Sequence, residues 1–331
     1  MNKKACITGI NGQDGSYLAQ SLISRGYEVI GLHRRNSTNS LERLGSINGH
    51  KLLTLQEFDI TDPVCIGQVI LDHKPDEFYN LAAQSHVATS FKQPCTTLEI
   101  NTLGVTYILE AIRNYNSETR FYQASTSEMF GSNYSFSEHD GKYQDESTQF
   151  NPQSPYAIAK VASHHTVRLY RESYGLYACS GILFNHESPR RGENFVTRKI
   201  TKYIGQLING LTTEKLKLGN IYSYRDWGHA KDYVEAMRMM LNQEQADDYV
   251  IATGEEHSVQ EFLHEAFGSV GLDYQEYIEI DQQFFRPAEV DYLRGNASKA
   301  QRQLGWSPQI SFSSLVKEMV TSDIKYYSNG V

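Results

Sequence analysis

Short apolar runs alternate with helix-length segments along the first two-thirds of this 331-residue chain, and the alternation limits the possible fold more than any other feature. Runs of strand length occupy residues 5–8, 28–32, 51–57, 77–80, 120–124 and 177–183. Segments of helical length and spacing occupy residues 16–24, 63–73, 97–114 and 156–174. Because strands that alternate with helices build parallel sheets from βαβ units, the sequence predicts an α/β protein. We expect a Rossmann-type parallel sheet with helices on both faces.

The alternation loosens after about residue 185, where two further helices are predicted near residues 197–209 and 259–270. The loops between them are rich in Gly, Tyr and Asp, and no linker rich in Pro or Gly precedes them. We therefore expect a Rossmann domain over residues 1–185 and a smaller C-terminal α/β part over residues 186–331. The second part would mainly bind substrate, packed against the first and partly interleaved with it.

Composition and charge exclude several classes of function. The net charge of −8 argues against a nucleic-acid surface, since neutralising many phosphates needs a concentrated basic face. No apolar run reaches the roughly 18 residues of a membrane-spanning helix. No apolar leader precedes the strand that begins at Ala5, so a cytoplasmic protein is expected. The four cysteines are scattered without clustered histidines, which predicts no metal site.

Three glycines at G-x-x-G-x-x-G spacing stand between the first predicted strand and the first predicted helix. Without side chains they let backbone N–H groups approach a dinucleotide pyrophosphate at the helix N-terminus. A purely structural turn has the same composition, and it stays open as the alternative. The cofactor contacts predicted in this segment are Gly9, Asn11, Gly12, Gln13, Asp14 and Gly15.

Two arginines, Arg34 and Arg35, follow the second predicted strand, where an NAD-selective site would carry an acidic residue. A guanidinium binds the 2′-phosphate of NADP in a bidentate manner, whereas a carboxylate would repel it. The pair therefore favours NADP, with a solvated basic turn as the alternative. Further cofactor contacts are expected after the third and fourth strands, from Asp59, Ile60, Leu81, Ala82, Ala83 and Ser85.

Tyr156 and Lys160 form a Y-x-x-x-K pattern, and a spacing of four residues puts both on one face of a helix. A nearby ammonium stabilises phenolate, which lowers the pKa of a tyrosine toward the range where it removes a proton from a hydroxyl. Among the 22 tyrosines of the chain, only Tyr156 is followed by Lys at the fourth position. The pattern indicates a catalytic pair, and a surface pair is the alternative.

The predicted strand at residues 120–124 leads into Ser-Thr-Ser-Glu at its carboxyl end, the edge where open α/β sheets place ligands. Thr126 can hydrogen-bond a substrate hydroxyl, and Glu128 supplies a carboxylate. Oxidation at one carbon needs only a tyrosine and a nicotinamide, whereas elimination at the neighbouring carbons needs another acid/base group. Glu128 is the candidate for that group, and a helix-start residue is the alternative.

Taken together, these motifs resemble those of the extended short-chain dehydrogenases/reductases that act on nucleotide sugars. Longer strings narrow the resemblance to the GDP-mannose 4,6-dehydratase family. They read GILFNHESPRRG at residues 181–192, FVTRK at 195–199, RDWGHAKDY at 225–233 and FRPAE at 285–289. The resemblance covers essentially the whole chain.

The resemblance implies a role for most of the candidate residues. The implied catalytic residues are Thr126, Glu128, Tyr156 and Lys160. The implied NADP contacts, besides those already named, are Tyr156, Lys160, His186 and Arg191. The implied contacts to a GDP-sugar are Ser85, Thr126, Glu128, Asn185, Lys199, Gly219, Arg225, Arg286 and Glu289.

The implied reaction converts GDP-mannose to GDP-4-keto-6-deoxymannose with internally recycled NADP. Tyr156 deprotonates the 4-hydroxyl, Glu128 removes the C5 proton, and water leaves from C6. The segment at residues 36–43 resembles the family segment that reaches a neighbouring subunit. It implies a homotetramer assembled from dimers.

Two departures from the family pattern keep other substrates open. The loop at residues 131–147 is several residues longer than usual, and Thr96 stands where a cofactor-facing tyrosine is often found. A longer loop would reshape the sugar pocket for a GDP-heptose or a GDP-amino sugar. Of the other classes, a nucleotide-sugar 4-epimerase would not need Glu128 beside Thr126. A non-catalytic NADP-binding sensor is expected to have lost Tyr156 or Lys160.

Overall fold

The computed structural model describes residues 2–35, 41–285 and 290–328. The strands in these ranges are β1 (Lys4–Thr8), β2 (Glu28–His33), β3 (Leu53–Glu57), β4 (Glu77–Asn80), β5 (Arg120–Thr126), β6 (Ser135–Ser137), β7 (Gly141–Tyr143), β8 (Ala178–Leu183), β9 (Asn185–Glu187), β10 (Leu216–Leu218), β11 (Tyr224–His229), β12 (Asp248–Ile251), β13 (Glu256–Ser258) and β14 (Ile278–Ile280). The helices are α1 (Gln13–Ser24), α2 (Pro63–His73), α3 (Val87–Lys92), α4 (Pro94–Leu98), α5 (Gly104–Tyr115), α6 (Pro155–Tyr174), α7 (Val196–Ile208), α8 (Ala230–Met240), α9 (Val259–Gly268), α10 (Ser298–Leu304) and α11 (Phe312–Ser328).

Seven parallel strands form the central sheet in the order β12-β8-β5-β4-β1-β2-β3. Successive residues of a strand point to opposite faces, so each strand contributes to two cores. Ala5 and Ile7 of β1 pack in a core with α1 and α8, while Cys6 packs in a second core with α2 and α5. The predicted Rossmann-type α/β fold is confirmed.

The seventh strand comes from the chain after residue 185. Strand β12 pairs with β8, and Asp248 lies opposite Ser180. Helix α8 packs against α1 on one face of the same sheet. The sequence analysis missed β12, because its four residues lie in the stretch where the alternation of strands and helices is weak.

The remaining elements after residue 185 build a smaller layer with its own core. Strands β13, β11 and β9 form one sheet and β10 pairs with β14, while α7, α9 and α11 cover a core that includes Trp227 and Phe262. The buried carboxylate of Asp226 accepts hydrogen bonds from the backbone of Thr253, Gly254 and Gly295. These bonds tie β11 to the loop after β12, so the smaller layer is fixed to the sheet.

One segment predicted as a single helix is interrupted in the structure. The segment predicted at residues 97–114 is observed as α4, a π-helical turn at Glu99–Leu103 and α5. The π turn places the Asn101 side chain beside the loop that follows β4, where it accepts from the N–H of Gln84 and donates to its carbonyl. Single π turns of this kind are frequent near functional sites. Among the described helices, none combines the length and apolar character needed to cross a membrane.

Candidate active site

A cavity of about 960 Å³ lies at the carboxyl ends of the central strands. Twenty of the residues predicted from the sequence line it, together with others considered below. They are Gly9, Asn11, Gly12, Gln13, Asp14, Gly15, Arg34, Asp59, Ile60, Leu81, Ala82, Ala83, Ser85, Thr126, Glu128, Tyr156, Lys160, Asn185, His186 and Arg191. Residues distant in sequence therefore converge at the sheet edge where open α/β folds bind ligands.

The glycine turn brings backbone, rather than side chains, to the floor of the cavity. Gly9 has a left-handed φ of 67°, which disfavours other residues there. A Cβ on Gly15 would lie only 2.3 Å from the Gly9 carbonyl oxygen, so the turn and α1 pack too closely for any side chain. The first N–H groups of α1 consequently face the cavity, as a bound pyrophosphate requires.

Asp14 and His186 form a largely buried hydrogen-bonded pair next to this turn. The His186 Nε2 atom lies 2.8 Å from the Asp14 Oδ2 atom. Burial alone would raise the pKa of Asp14, but the imidazole beside it outweighs burial and holds the pKa below its usual value. Burial alone would lower the pKa of His186, and the carboxylate reverses that shift. Because β9 carries His186, the pair links α1 to the smaller layer.

The two arginines after β2 occupy different positions. Arg34 lines the cavity near Asp59, whose carboxylate accepts two hydrogen bonds from Thr61. The backbone bond from Thr61 is the largest cause of the lowered pKa of Asp59. Arg35 lies outside the cavity wall, with its side chain 84% exposed and its Nε 3.9 Å from Glu57. Only the first arginine is therefore placed to bind a phosphate inside the cavity.

The wall formed by the loop after β4 is held by a buried polar network. The Thr8 hydroxyl donates to Asn80 at 2.7 Å and accepts from the N–H groups of Leu81 and Ala82, each at 3.0 Å. Asn80 in turn donates to Gln123 on β5. The cavity wall at Leu81 and Ala82 is consequently fixed to the strands on both sides.

The four candidate catalytic residues come from the end of β5 and the start of α6. Thr126 ends β5 and its hydroxyl accepts from the N–H of Glu128, which holds the half-buried carboxylate at the cavity wall. Ser154 caps the N-terminus of α6, so Tyr156 lies in its first turn. Lys160, one turn later, donates to the carbonyl of Ala124 at 2.7 Å.

The pKa of Tyr156 in this cluster differs from the expectation. Burial raises the pKa of Tyr156 to about 12, against a smaller opposing effect of the Thr126 hydroxyl, and the Glu128 carboxylate raises it further. Burial lowers the pKa of Lys160 to about 8. The predicted lowering of the Tyr156 pKa by Lys160 is therefore wrong for this structure, because the ammonium is directed to the Ala124 carbonyl.

Several predicted substrate contacts lie outside the cavity wall. The Lys199 ammonium lies 5.4 Å from the ring centre of Phe284, and Gly219 packs against the Phe284 backbone. Arg225 is buried on β11, where one guanidinium nitrogen donates to the Tyr224 carbonyl. Arg286 and Glu289 lie outside the described residues.

Other lining residues were not assigned a role from the sequence. Arg43 follows β2 in a short 3-10 helix, and it donates to the carbonyls of Arg190 and Asn11. No sequence motif connects Arg43 with Arg34, so only the folded structure shows that both residues reach one cavity. His86 and Ser125 also line the wall.

Comparison with known proteins agrees with this geometry. The sequence profile of the family described as GDP-mannose 4,6 dehydratase matches residues 6–319. GDP-mannose 4,6 dehydratase 2 of Arabidopsis thaliana is 53% identical over 333 residues, covering 98% of this chain and 87% of the relative. GDP-mannose 4,6-dehydratase of Vibrio cholerae is 45% identical over 360 residues, covering 98% and 95%.

Solved structures agree on the fold. The dTDP-glucose 4,6-dehydratase DesIV from Streptomyces venezuelae, solved with NAD bound, has a TM-score of 0.86 at 24% identity, with 98% of this chain and 97% of that chain covered. RMD from Pseudomonas aeruginosa, complexed with NADPH, has a TM-score of 0.79 at 22% identity, with 98% and 100% covered. From its profile match and its relatives, this chain belongs to the GDP-mannose 4,6-dehydratase family.

Proposed function

We propose that this protein is an NADP-dependent hydro-lyase that converts GDP-mannose to GDP-4-keto-6-deoxymannose. The observation that carries the proposal is the convergence of Thr126, Glu128 and Tyr156 on one cavity with the glycine turn. A 4-epimerase would need the tyrosine without the carboxylate, so Glu128 favours elimination. The names of the relatives point to the same substrate.

The longer loop at residues 131–147 bears on the choice of substrate. It contains the β6–β7 hairpin, and the Lys142 carbonyl accepts from the hydroxyl of Tyr292. None of residues 129–155, all of which the structure describes, lines the cavity. The loop therefore does not border the part of the site that this cavity encloses.

The residues of the cavity fit a nicotinamide dinucleotide. The glycine turn leaves room for a pyrophosphate, Arg34 would hold a 2′-phosphate, and the loop after β4 would lie along the cofactor. The chemistry that bound NADP would supply is hydride transfer at C4 and C6 of the sugar. Solved relatives of the same fold bind NAD or NADPH, which supports this class of cofactor.

The protein's own groups would carry the proton transfers. As its phenolate, Tyr156 would take the proton of the 4-hydroxyl, and Thr126 would hold that hydroxyl in place. The 4-keto group acidifies the C5 proton. The Glu128 carboxylate would remove this proton and pass it to the C6 hydroxyl, which then leaves as water. The ammonium of Lys160, which donates to the Ala124 carbonyl, would hold the start of α6 against the end of β5.

A panel of sugar nucleotides tests the proposal directly. Purified protein is incubated with GDP-mannose, a GDP-amino sugar, a GDP-heptose and a UDP-hexose, and the products are identified by mass spectrometry and NMR. We expect a 6-deoxy-4-keto product from GDP-mannose. Inversion at C4 with the 6-hydroxyl retained would instead identify an epimerase.

We expect Arg34→Ala to weaken NADP binding selectively. Loss of a charge-assisted contact to the 2′-phosphate is expected to raise the Kd for NADP by roughly ten- to hundredfold and leave that for NAD nearly unchanged. Arg35→Ala is the matched control, because that side chain is exposed outside the cavity wall. Equal losses in both variants, or mainly NAD(H) released from denatured wild-type protein, would contradict the assignment.

We propose the homotetramer that the sequence led us to expect, because helix α6 carries an exposed apolar stripe. Ile158 and Leu169 lie on one face of α6, 51% and 54% exposed, with Ala162 and His165 between them. Contiguous exposed apolar surface marks protein–protein contact sites. The segment at residues 36–43, which suggested the assembly, lies partly outside the described residues.

We expect sedimentation of the wild-type protein to give a tetramer. Ile158→Asp is expected to yield smaller species, because an unpaired charge at the centre of an apolar contact costs several kcal/mol. Val64→Asp, on the exposed start of α2, is the matched control and should sediment like wild type. A wild-type monomer at working concentration would exclude the proposed assembly.

A further inference from the structure

A buried polar chain begins at Ser125 in the cavity wall and has no part in the proton transfers above. The Ser125 hydroxyl lies 3.1 Å from the Nδ1 atom of His164, and the Nε2 atom of His164 lies 3.8 Å from the Asp248 carboxylate. Arg171 binds both oxygens of Asp248, at 3.0 and 2.7 Å. The chain joins the end of β5, the middle and end of α6, and the edge strand β12.

The charges of this chain define the direction of its hydrogen bonds. Asp248 is held ionised: burial alone would raise its pKa, but Arg171 and His164 outweigh burial and lower it. Burial lowers the pKa of His164 to about 4, so the imidazole is neutral at neutral pH. The Asp248 carboxylate faces Nε2 and favours the tautomer with the proton on that nitrogen. In this tautomer Nδ1 accepts from the Ser125 hydroxyl.

Helix α6 is consequently attached to β5 at two successive turns. Lys160 donates to the carbonyl of Ala124, and His164, four residues later, binds the side chain of Ser125. The next residue of β5 is Thr126, and Tyr156 lies one turn before Lys160 on the same helix. The ring of Phe150 packs edge-on against His164 and closes the site from the outside.

We propose that His164 is a positioning residue for the catalytic pair. By holding Ser125, it sets the distance between Thr126 at the end of β5 and Tyr156 at the start of α6. The attachment acts on the orientation of the reacting groups through Ser125, which also lines the cavity. A displacement of about 1 Å in such a pair lowers turnover by up to about a hundredfold. The inference rests on the proposed function for its kinetic readout.

The test compares His164→Leu with His264→Leu, the same change at an exposed position of α9. We expect His164→Leu to lower kcat by roughly ten- to hundredfold, with KM within about twofold of wild type, and His264→Leu to match wild type. His164→Asn places a polar atom near the position of Nδ1, and we expect it to recover a large part of kcat. A role in stability alone would lower Tm and leave kcat per folded subunit unchanged.

Ser125→Ala keeps the test decisive if His164→Leu does not fold. We expect Ser125→Ala to lower kcat to a similar extent, and the double variant to be no worse than the poorer single variant, because the two side chains act through one bond. Losses of kcat that multiply in the double variant would overturn the proposal. Wild-type kcat in all three single variants, His164→Leu, His164→Asn and Ser125→Ala, would overturn it as well. If wild type turned over no GDP-sugar, the proposed function would fail instead. Crystal structures of wild type and Ser125→Ala would then decide the positioning role by the Thr126–Tyr156 separation.

Discussion

Tyr156→Phe is expected to lower kcat by about 10²–10⁴-fold, the usual contribution of a general base. Tyr156 is positioned beside Thr126 and, as its phenolate, takes the proton of the 4-hydroxyl, and all later steps require the ketone formed at C4. KM for GDP-mannose is expected to stay close to that of wild type, because the nucleotide contacts are elsewhere. Initial rates of 4-keto product formation at saturating GDP-mannose measure the effect.

Tyr170→Phe is the matched control for this variant. Tyr170 lies on the same helix, and its hydroxyl donates to Glu110 on α5, away from the cavity. Tyr170→Phe loses this one hydrogen bond and is expected to retain wild-type kcat. Near-normal turnover in Tyr156→Phe would remove the phenol from the mechanism.

Glu128→Gln is expected to separate oxidation from elimination. The amide keeps the size of the side chain but has no basic oxygen, so C4 is still oxidised while the C5 proton stays in place. A 4-keto hexose that retains its 6-hydroxyl is expected to accumulate in a single turnover. In deuterium oxide, incorporation at C5 is expected to fall by about 10²–10⁴-fold. NMR of the sugar nucleotide reports both quantities.

The shorter carboxylate of Glu128→Asp provides the comparison. It keeps a base at the position and is expected to retain more C5 exchange than Glu128→Gln, although its reach is reduced. If Glu128→Gln formed the 6-deoxy product at the wild-type rate, a different group would perform the elimination.

Local patterns predicted the strands and the glycine turn well, because each depends on residues close in sequence. The bounds of β4 and α2 agree with the expectation at both ends, and the turn between β1 and α1 brings Gly9, Gly12 and Gly15 together. The order of strands in the sheet depends on contacts between distant segments. Strand β12 was missed for that reason, since its short apolar run becomes a strand only beside β8.

In the candidate site, too, the features that depend on local sequence were predicted and those that depend on distant segments were not. Motifs indicated Thr126, Glu128, Tyr156 and Lys160 because their spacing is fixed by one strand end and one helix. The sequence could not separate Arg34 from Arg35, since neighbouring residues at a strand end point in different directions. Nor could it give the pKa of Tyr156, which depends on burial by segments far along the chain.

The return of the chain to the sheet has a consequence for engineering. After β9, α7, β10 and β11, the chain re-enters the sheet as α8 and β12, leaves it again, and comes back as α10. A chimaera that exchanged everything after residue 185 for the corresponding piece of a relative would also replace an edge strand and a covering helix. If the replacement strand did not pair with β8, then β8 would be an open sheet edge, which is prone to pair with other chains. Grafts that aim at new sugar specificity should therefore exchange single loops of the smaller layer and keep residues 230–251 from the host.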